Sequence, residues 1–273
     1  MAASTPTIGL GGWLRLALLG LHLAQGTATV ALVYPWLPLA WRLALKKRWS
    51  RRLLAILGIR LETPQAPLPA ASLIVANHVS WLDIYLINAV QPSAFIAKAE
   101  VRQWPLIGWL CAHTDTVFLE RGSRSHAKVV NGQIAALFQA GQRVALFPEG
   151  TTTDGRQLLP FHAALLQPAI DAGRPITPLA LTYRTAAGLP QTAPAYAGDT
   201  TMWQSLLAIL AARGDIRVSL HPAPALATDQ GHHRRELAAA ARAAIAAGLD
   251  LPGERAANDP GQETGLPARP ALA

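Results

Sequence analysis

Short apolar runs alternate with helix-like segments through most of this chain, and this alternation constrains its fold more than any other feature. The apolar runs are often β-branched and are bounded by turn residues, as is typical of strands. The strand candidates are Ser72–Ala76, Ala94–Ala97, Thr116–Leu119, Arg143–Phe147, Ile176–Tyr183 and Ile216–Leu220. The helix candidates are Leu82–Ala89, Pro105–Ala112, Ser125–Ala140, Pro160–Ala172, Met202–Ala212 and His232–Leu249. This order predicts an α/β fold with a mostly parallel central sheet flanked by helices.

An apolar stretch from Leu10 to about Leu45 precedes these elements. A spanning helix needs about 20 apolar residues, which the part from Leu16 to Leu37 just supplies. Pro35 and Pro38 would kink or end such a helix. A helical hairpin lying in one leaflet fits equally well, and a buried helix pair is the third alternative.

The end of this stretch combines tryptophans with basic residues, a composition typical of the headgroup zone beside anionic lipid on the cytoplasmic side. The formal net charge of +8 suits an anionic partner. Because the basic residues lie beside tryptophans and no nucleic-acid motif is present, we expect an anionic membrane surface as partner and no nucleic acid. The residues concerned are Trp36, Trp41, Trp49, Lys46, Lys47, Arg48, Arg51 and Arg52.

The composition divides the chain into three parts. We expect membrane-associated helices over 1–62, one α/β domain over 63–250 and a disordered tail over 251–273, because the tail lacks hydrophobic periodicity. The length of 273 residues gives no strong case for two full domains. Cys111 is the single cysteine, which excludes an internal disulfide and a cysteine zinc cluster.

The segment from Asn77 to Asp83 (NHVSWLD) follows a predicted strand and opens a predicted helix. On one continuous helix, His78 and Asp83 would lie on different faces. They meet only if His78 lies in the turn before the helix and Asp83 in its first turn, with Ser80 as the N-cap. Asp83 would then orient one ring nitrogen of His78, and the other would accept a proton from a hydroxyl. The structural alternative is a capping box, in which Asp83 only caps the helix.

Two further polar segments follow predicted strands. The segment from Phe147 to Arg156 (FPEGTTTDGR) surrounds a glycine with hydroxyl groups suited to an oxygen-rich ligand, although these are also common turn residues. The segment from Val117 to Arg121 (VFLER) ends in a guanidinium whose planar fork suits phosphate, and Lys98 follows an earlier predicted strand. A solvated surface arginine is the alternative for Arg121.

Together these segments resemble the lysophosphatidate acyltransferase (1-acyl-sn-glycerol-3-phosphate acyltransferase) family of glycerolipid acyltransferases. The resemblance runs from about Leu73 to Tyr183 in the family's order and spacing. The combination of four blocks is specific, whereas any one block is not. The blocks are N-H-x-S-x-x-D at 77–83, Lys98 with Pro105, Gly108 and F-L-E-R at 118–121, F-P-E-G-T at 147–151, and I-T-P-L-A at 176–180 around Pro178.

The resemblance implies an O-acyltransferase that needs neither cofactor nor metal. It implies acyl-CoA or acyl-carrier protein as donor and the free hydroxyl of a lysophospholipid as acceptor, with 1-acyl-sn-glycerol-3-phosphate giving phosphatidic acid. It implies that His78 is the catalytic base and Asp83 its partner, at the cytoplasmic face of the inner cell membrane. The substrate-binding residues that it implies are Lys98, Arg121, Glu149, Gly150 and Thr151.

Two departures from the family pattern concern the acceptor headgroup. Thr152 stands where many bacterial members carry arginine, and F-H-A-A at 161–164 replaces a frequent F-K-x-G. Both changes remove features expected for lysophosphatidate and leave the base intact. The sequence T-T-x-D-G with a later L-P-F is similar to relatives that act on other lyso-lipids, so lyso-ornithine lipid is the alternative acceptor. Arg156 is a candidate for the missing charge.

Two other enzyme classes remain as rivals. A serine hydrolase would use Ser80 beside His78 and Asp83, but G-x-S-x-G is absent and Ser80 is better suited to a cap. A metal enzyme would use His78, Asp83, His113 and Asp115, but the spacing of the last two is not typical of metal ligands.

Overall fold

The computed structural model describes residues 8–62, 68–120, 124–229, 231 and 233–249, without the side chains of 124–127. The predicted disordered tail and Arg121 lie outside these ranges. The α-helices are α1 Leu10–Leu32, α2 Leu39–Leu57, α3 Asp83–Val90, α4 Ile107–Ala112, α5 Arg124–Gln139, α6 Gln167–Asp171, α7 Met202–Ala211 and α8 Arg234–Leu249. The strands are β1 Ile59–Glu62, β2 Leu73–Ala76, β3 Ala94–Lys98, β4 Val117–Leu119, β5 Val144–Leu146, β6 Ile176–Arg184 and β7 Ile216–Pro222. Short 3₁₀ helices cover Tyr34–Trp36, Ala99–Gln103 and Ala163–Leu166.

The strands form one sheet in the order β1-β7-β6-β2-β5-β3-β4. All neighbouring pairs are parallel except β6 with β7. The predicted mostly parallel sheet is therefore confirmed, and all six predicted strands are present. The carboxyl ends of β2, β3, β4, β5 and β6 meet at one edge, which we call the carboxyl edge.

β1 is a strand that the sequence analysis missed. Ile59–Glu62 pairs in parallel with β7 from Ile59↔Ile216 to Glu62↔Ser219. Two of its four residues are charged, so it lacks the apolar character of the other strands. The predicted domain boundary after residue 62 places this strand with the N-terminal helices, whereas it belongs to the same sheet as the others.

Helices cover both faces of the sheet, as predicted. On one face, β-strand side chains pack with α2, α3 and α7 in a core that includes Leu54, Leu57, Leu86, Ile87 and Ile209. On the other face, α5, α6 and α8 supply a second core that includes Val130, Ile134, Phe138, Ala169 and Ile245. Buried apolar surface on this scale is the main favourable term in folding.

α1 and α2 form a helical hairpin whose turn contains Pro35 and ends at Pro38, the residue before α2. His22 and Trp49 join the two helices. His22 Nε2 lies 3.0 Å from the Trp49 carbonyl oxygen, and Trp49 Nε1 donates to the His22 carbonyl at 3.2 Å. Their rings stack with centroids 4.5 Å apart. By length and hydropathy, none of the helices in the described ranges qualifies as a membrane span.

Lys46 corrects one expectation about the basic residues of α2. Its ammonium group is buried and lies 3.4 Å from an Asp115 carboxylate oxygen. It also donates to the carbonyl oxygens of Thr114 at 3.0 Å and Ser93 at 3.3 Å. Burial lowers the pKa of Lys46. The prediction that Lys46 faces anionic lipid is wrong, because it instead ties α2 to the segments that precede β3 and β4.

Gly26→Ala tests the close approach of α1 to α2. A Cβ at residue 26 would lie 2.4 Å from Trp49 Nε1, so the helices must separate or Trp49 must give up its position. We expect a loss of about 1–3 kcal/mol in the free energy of unfolding, measured by urea denaturation followed by circular dichroism.

Gly20→Ala is the matched control in the same helix, because a Cβ there meets nothing within 4 Å. Alanine is a better helix former than glycine by up to about 1 kcal/mol, so this variant should be as stable as the parent or more stable. If Gly26→Ala and Gly20→Ala had the same free energy of unfolding, this would contradict the close approach of residue 26 to Trp49.

Candidate functional site

Asn77 directly follows β2, and its side chain prolongs the pairing of that strand with β6. The last backbone pair of these strands is Ala76↔Leu179. Beyond it, the Asn77 amide donates to the Leu181 carbonyl at 3.1 Å and accepts from the Leu181 N–H at 2.8 Å. Since the side-chain amide of Asn77 takes over the hydrogen bonds of these backbone groups of β6, the main chain is free to leave the sheet at this point. The next residue, His78, therefore lies in a turn at the carboxyl edge.

His78 and Asp83 meet as the sequence analysis expected. His78 Nδ1 lies 2.9 Å from Asp83 Oδ2, with the histidine side chain 19% exposed and the aspartate side chain fully buried. Among the described residues, Nε2 of His78 has no hydrogen-bond partner. The ring is thus held at one nitrogen, which is the arrangement of an oriented general base.

Asp83 is the centre of a wider set of hydrogen bonds. Its Oδ2 also accepts from the backbone N–H groups of Val79 at 2.8 Å and Ser80 at 2.9 Å. Its Oδ1 accepts from the hydroxyl of Tyr183. One carboxylate thus both braces the turn and orients the histidine. The alternative, a capping box in which Asp83 only caps the helix, is wrong, because α3 begins at Asp83 and Leu82 before it makes no side-chain cap hydrogen bond.

Ser80 occupies a different position from the one predicted. α3 begins at Asp83, and Leu82 precedes it, so Ser80 is not the residue that caps the helix. Its hydroxyl accepts from the Leu82 N–H at 3.3 Å, and the residue is fully buried. The Asp83 carboxylate accepts hydrogen bonds from N–H groups that precede the helix. A turn therefore separates Ser80 from the start of α3. A buried hydroxyl cannot attack a substrate, which argues against the serine hydrolase.

Phe147 fixes the plane of the His78 ring. The two rings stack with centroids 3.9 Å apart and planes 6° from parallel. The ring centroid of Phe95 lies 6.1 Å from that of Phe147. Phe147 directly follows β5, the neighbour of β2. Phe147 belongs to the F-P-E-G-T block, but no local sequence pattern shows which ring it contacts.

Glu149 braces the site from the turn after β5. Its Oε1 accepts from the His78 N–H at 2.8 Å and its Oε2 from the Leu159 N–H at 2.9 Å. Burial raises the pKa of Glu149, and these two N–H donors act in the opposite direction. Both oxygens thus have backbone partners, so the structure gives Glu149 a positioning contact. Its predicted contact with the acceptor stays a prediction.

The rest of the F-P-E-G-T-T-T segment divides into structural and exposed residues. Gly150 has a φ of 69°, a left-handed conformation that glycine adopts without steric cost. The Thr152 hydroxyl donates to the Tyr196 carbonyl, and the Thr153 N–H donates to the His78 carbonyl at 2.9 Å. Thr151 is exposed and is thus the threonine of this run that is accessible to a ligand.

The predicted cationic residues differ in what the structure says of them. Lys98 is exposed at the end of β3, on the carboxyl edge and in register with Leu119 of β4. Arg121 follows β4 and lies outside the described residues, so its role stays a prediction. The Arg156 guanidinium is exposed and lies 3.9 Å from Asp154.

The metal hypothesis has no support in the described part of the chain. No group of three or more His, Cys, Asp and Glu residues able to hold an ion is present there. Asp115 is paired with Lys46, and His113 Nδ1 lies 2.8 Å from the carbonyl oxygen of Trp109 in the preceding helix, α4. The residues proposed to join His78 thus have other partners.

Comparison with known proteins gives matches over most of the chain. The acyltransferase family model matches residues 61–182. The chain is 39% identical over 210 residues to a lyso-ornithine lipid O-acyltransferase of Pseudomonas aeruginosa, which covers 75% of this chain and 78% of that protein. It is 43% identical over 160 residues to a 1-acyl-sn-glycerol-3-phosphate acyltransferase of Neisseria meningitidis serogroup B, covering 57% of this chain and 63% of that protein.

A solved structure shares the fold. The crystal structure of the 1-acyl-sn-glycerophosphate acyltransferase from Thermotoga maritima superposes with a TM-score of 0.60 at 21% identity. The match covers 87% of this chain and 96% of that one. At this identity the likeness shows the α/β architecture alone.

Glu149→Gln tests the bracing contact. A glutamine places an NH₂ group where a carboxylate oxygen now accepts, so one backbone N–H, of His78 or Leu159, faces another donor. An unsatisfied buried donor costs about 1–3 kcal/mol, and we expect the free energy of unfolding to fall by that amount in urea denaturation. Glu100→Gln, at an exposed position, should change it by less than about 0.5 kcal/mol. Equal stability of the two variants would show that the Glu149 contacts contribute nothing.

Proposed function

The chain belongs to the 1-acyl-sn-glycerol-3-phosphate acyltransferase family of O-acyltransferases, and we propose that it moves a fatty acyl group from a thioester donor to the free hydroxyl of a lysophospholipid. One observation carries the proposal. His78 is held at Nδ1 by a buried carboxylate, 2.9 Å away, while its side chain remains partly exposed at the carboxyl edge. This is the position at which open parallel sheets bind ligands.

The mechanism uses the substrate's own hydroxyl as nucleophile. As the acceptor oxygen attacks the thioester carbonyl, His78 Nε2 takes the hydroxyl proton, and Asp83 stabilises the imidazolium that forms. The tetrahedral intermediate collapses, the carbon–sulfur bond breaks, and the imidazolium returns the proton to the leaving thiolate. The products are the acylated lipid and a free thiol. A positioned base contributes about 10²- to 10⁴-fold to such a step.

We propose acyl-CoA or acyl-carrier protein as the donor and 1-acyl-sn-glycerol-3-phosphate as the first acceptor. Lys98, exposed at the carboxyl edge, supports an anionic acceptor, because a lysine ammonium attracts phosphate oxygens. Arg121 would add a second cation.

Lyso-ornithine lipid is the second candidate acceptor, and a specific observation favours it. Thr152 stands where many bacterial family members carry arginine, and its hydroxyl is used by the Tyr196 carbonyl. This position therefore supplies no charge for a phosphate. The similarity to the Pseudomonas aeruginosa protein extends over more of the chain than the similarity to the Neisseria meningitidis protein.

We also propose that the outer face of α1 lies in the cytoplasmic surface of the inner membrane. Large apolar residues recur on this face at helical spacing and are exposed, although a helix of a soluble core would bury them. They are Leu10, Leu14, Leu18, Leu21 and Leu32. Trp36 and Trp41 are exposed beside them in sequence, and Arg48 and Arg52 are exposed on α2. Tryptophan and arginine next to an apolar surface favour the anionic headgroup zone.

An acceptor panel tests the reaction. We expect the purified enzyme, given a labelled acyl donor on CoA or on carrier protein, to acylate 1-acyl-sn-glycerol-3-phosphate in preference to lyso-ornithine lipid, with products identified by mass spectrometry. His78→Ala should lower turnover by at least about 10²-fold and leave the circular dichroism spectrum unchanged.

His113→Ala is the control, because this exposed histidine contacts the preceding helix, α4; its turnover should equal the parent's. If the enzyme preferred lyso-ornithine lipid, the second candidate would replace 1-acyl-sn-glycerol-3-phosphate as the proposed acceptor. Activity of His78→Ala within tenfold of the parent would remove the general base.

Leu21→Glu tests the membrane-facing surface. Leu21 is 69% exposed, and burying such a side chain in lipid contributes roughly 1.5–3 kcal/mol. We expect the variant to bind vesicles containing phosphatidylglycerol at least about tenfold more weakly in flotation assays. Leu189→Glu is the matched control, since Leu189 is 64% exposed after β6. If both variants lost binding equally, charge alone and not the α1 face would explain the result.

A further inference from the structure

We propose that Tyr183 is a positioning residue for acyl transfer, whose hydroxyl holds the Asp83 carboxylate in place and thereby sets how readily His78 accepts a proton. The inference rests on the proposed function, because it concerns the same base. Neither the motif blocks nor the family comparison assigns Tyr183 a role.

The difference in length between two strands brings Tyr183 to the site. β6 has nine residues and β2 four, so β6 continues past the last backbone pair, Ala76↔Leu179. Leu179, Leu181 and Tyr183 alternate along β6 towards the same core. Tyr183 is the last of them, and it lies beneath the turn that carries His78.

The two oxygens of Asp83 have separate tasks. Oδ2 accepts from the imidazole of His78 and from two backbone N–H groups of the turn. Oδ1 accepts from the hydroxyl of Tyr183, which comes from a different part of the fold. The phenol is thus the contact that fixes the carboxylate from the sheet, and without it Oδ1 has no other hydrogen-bond donor among the described residues.

Tyr183 remains protonated through the working pH range. Burial, and then the neighbouring Asp83 carboxylate, hold the pKa of Tyr183 well above its ordinary value, while a hydrogen bond with the Ser80 side chain acts in the opposite direction. A phenol in this state donates to the carboxylate at every pH at which the enzyme would be assayed.

Among the described residues, Glu149 is a further titratable group close to this site. From the turn after β5, Glu149 interacts electrostatically with both His78 and Asp83. α2 and α7 contribute apolar side chains to this core, among them Leu54, Leu57 and Leu210, and Trp81 and Ser205 bond to each other nearby. The acid side of a pH profile would therefore report His78 under the influence of Asp83, Tyr183 and Glu149.

A donor to the carboxylate withdraws part of its negative charge from the imidazole. When the phenol hydroxyl is removed, that charge acts more fully on His78, and the imidazolium is stabilised. The base then stays protonated to higher pH. The carboxylate also loses one of the contacts that fix its direction, and partners that orient a functional side chain in this way commonly matter for activity.

Tyr183→Phe tests the proposal, because it keeps the ring in the core and removes the hydroxyl. We expect kcat to fall about tenfold with the acceptor KM within about twofold. The acid limb of the plot of kcat/KM against pH should move upward by about half a unit or more. An unmoved acid limb, with or without a loss of thermal stability, would overturn the proposal, since a merely structural residue leaves this midpoint in place.

Site-specific replacement of Tyr183 by 3-fluorotyrosine gives a second variant with almost the same shape. Fluorine makes the hydroxyl a stronger donor, so the acid limb should move downward, opposite to the shift in Tyr183→Phe. A shift in the same direction for both variants, or none for the fluorinated protein, would also overturn the proposal. This variant keeps the test decisive if Tyr183→Phe fails to fold.

Tyr85→Phe is the control. Tyr85 is a half-buried tyrosine packed against Trp49 and Trp81, and its hydroxyl has no hydrogen-bond partner among the described residues. Its pH profile should match that of the parent. If the parent and Tyr85→Phe transfer acyl groups normally and Tyr183→Phe has the same pH profile as the parent, only the inference about Tyr183 fails and the proposed function stands. If the parent transfers no acyl group to any acceptor, the proposed function fails first.

Discussion

The buried carboxylate of Asp83 is the group on which the rest of the site depends. A fully buried charge is costly unless hydrogen bonds replace its hydration, and here the imidazole, two backbone N–H groups and a phenol do so. These donors come from the turn after β2 and from β6. Because both carboxylate oxygens of Asp83 need hydrogen-bond donors, they fix the turn, the histidine and the end of β6 relative to one another.

The strand order explains how distant motifs form one site. β5 and β6 are the two neighbours of β2, so the residues that follow β5 lie beside the turn that follows β2. Phe147 stacks on His78 from that side, and Glu149 accepts the His78 N–H. From the other side, β6 supplies Leu181 to the Asn77 amide. His78 is thus held by its ring face, its Nδ1 atom and its backbone, while its exposed edge is left for a substrate.

The N-terminal hairpin packs apolar side chains such as Leu16 and Leu54 against the core and has an apolar outer side as well. His22 is buried against Trp49, whereas Leu10, Leu14 and Leu21 are exposed. An ordinary amphipathic surface helix has polar residues on its outer side, so the exposed leucines distinguish α1 from such a helix. Contacts such as His22 with Trp49 and Lys46 with Asp115 attach the hairpin to the α/β domain. The membrane position proposed for α1 would place the attached α/β domain next to a bilayer that holds lipid acceptors.

The sequence by itself determined the elements that have a local signal. Apolar runs of strand length identified six of the seven strands in the described ranges. The spacing of His78 and Asp83 also showed that the two side chains meet only if His78 lies in a turn before the helix. The tertiary structure alone decided which partners these residues meet. Tyr183 and Glu149 reach the site through strand length and strand order, Lys46 turns inward, Ser80 does not cap α3, and β1 joins the sheet by pairing with β7. The physical reason is that hydrophobic periodicity and turn chemistry act over a few neighbouring residues, whereas the partner of a buried polar group is fixed by which strands lie side by side.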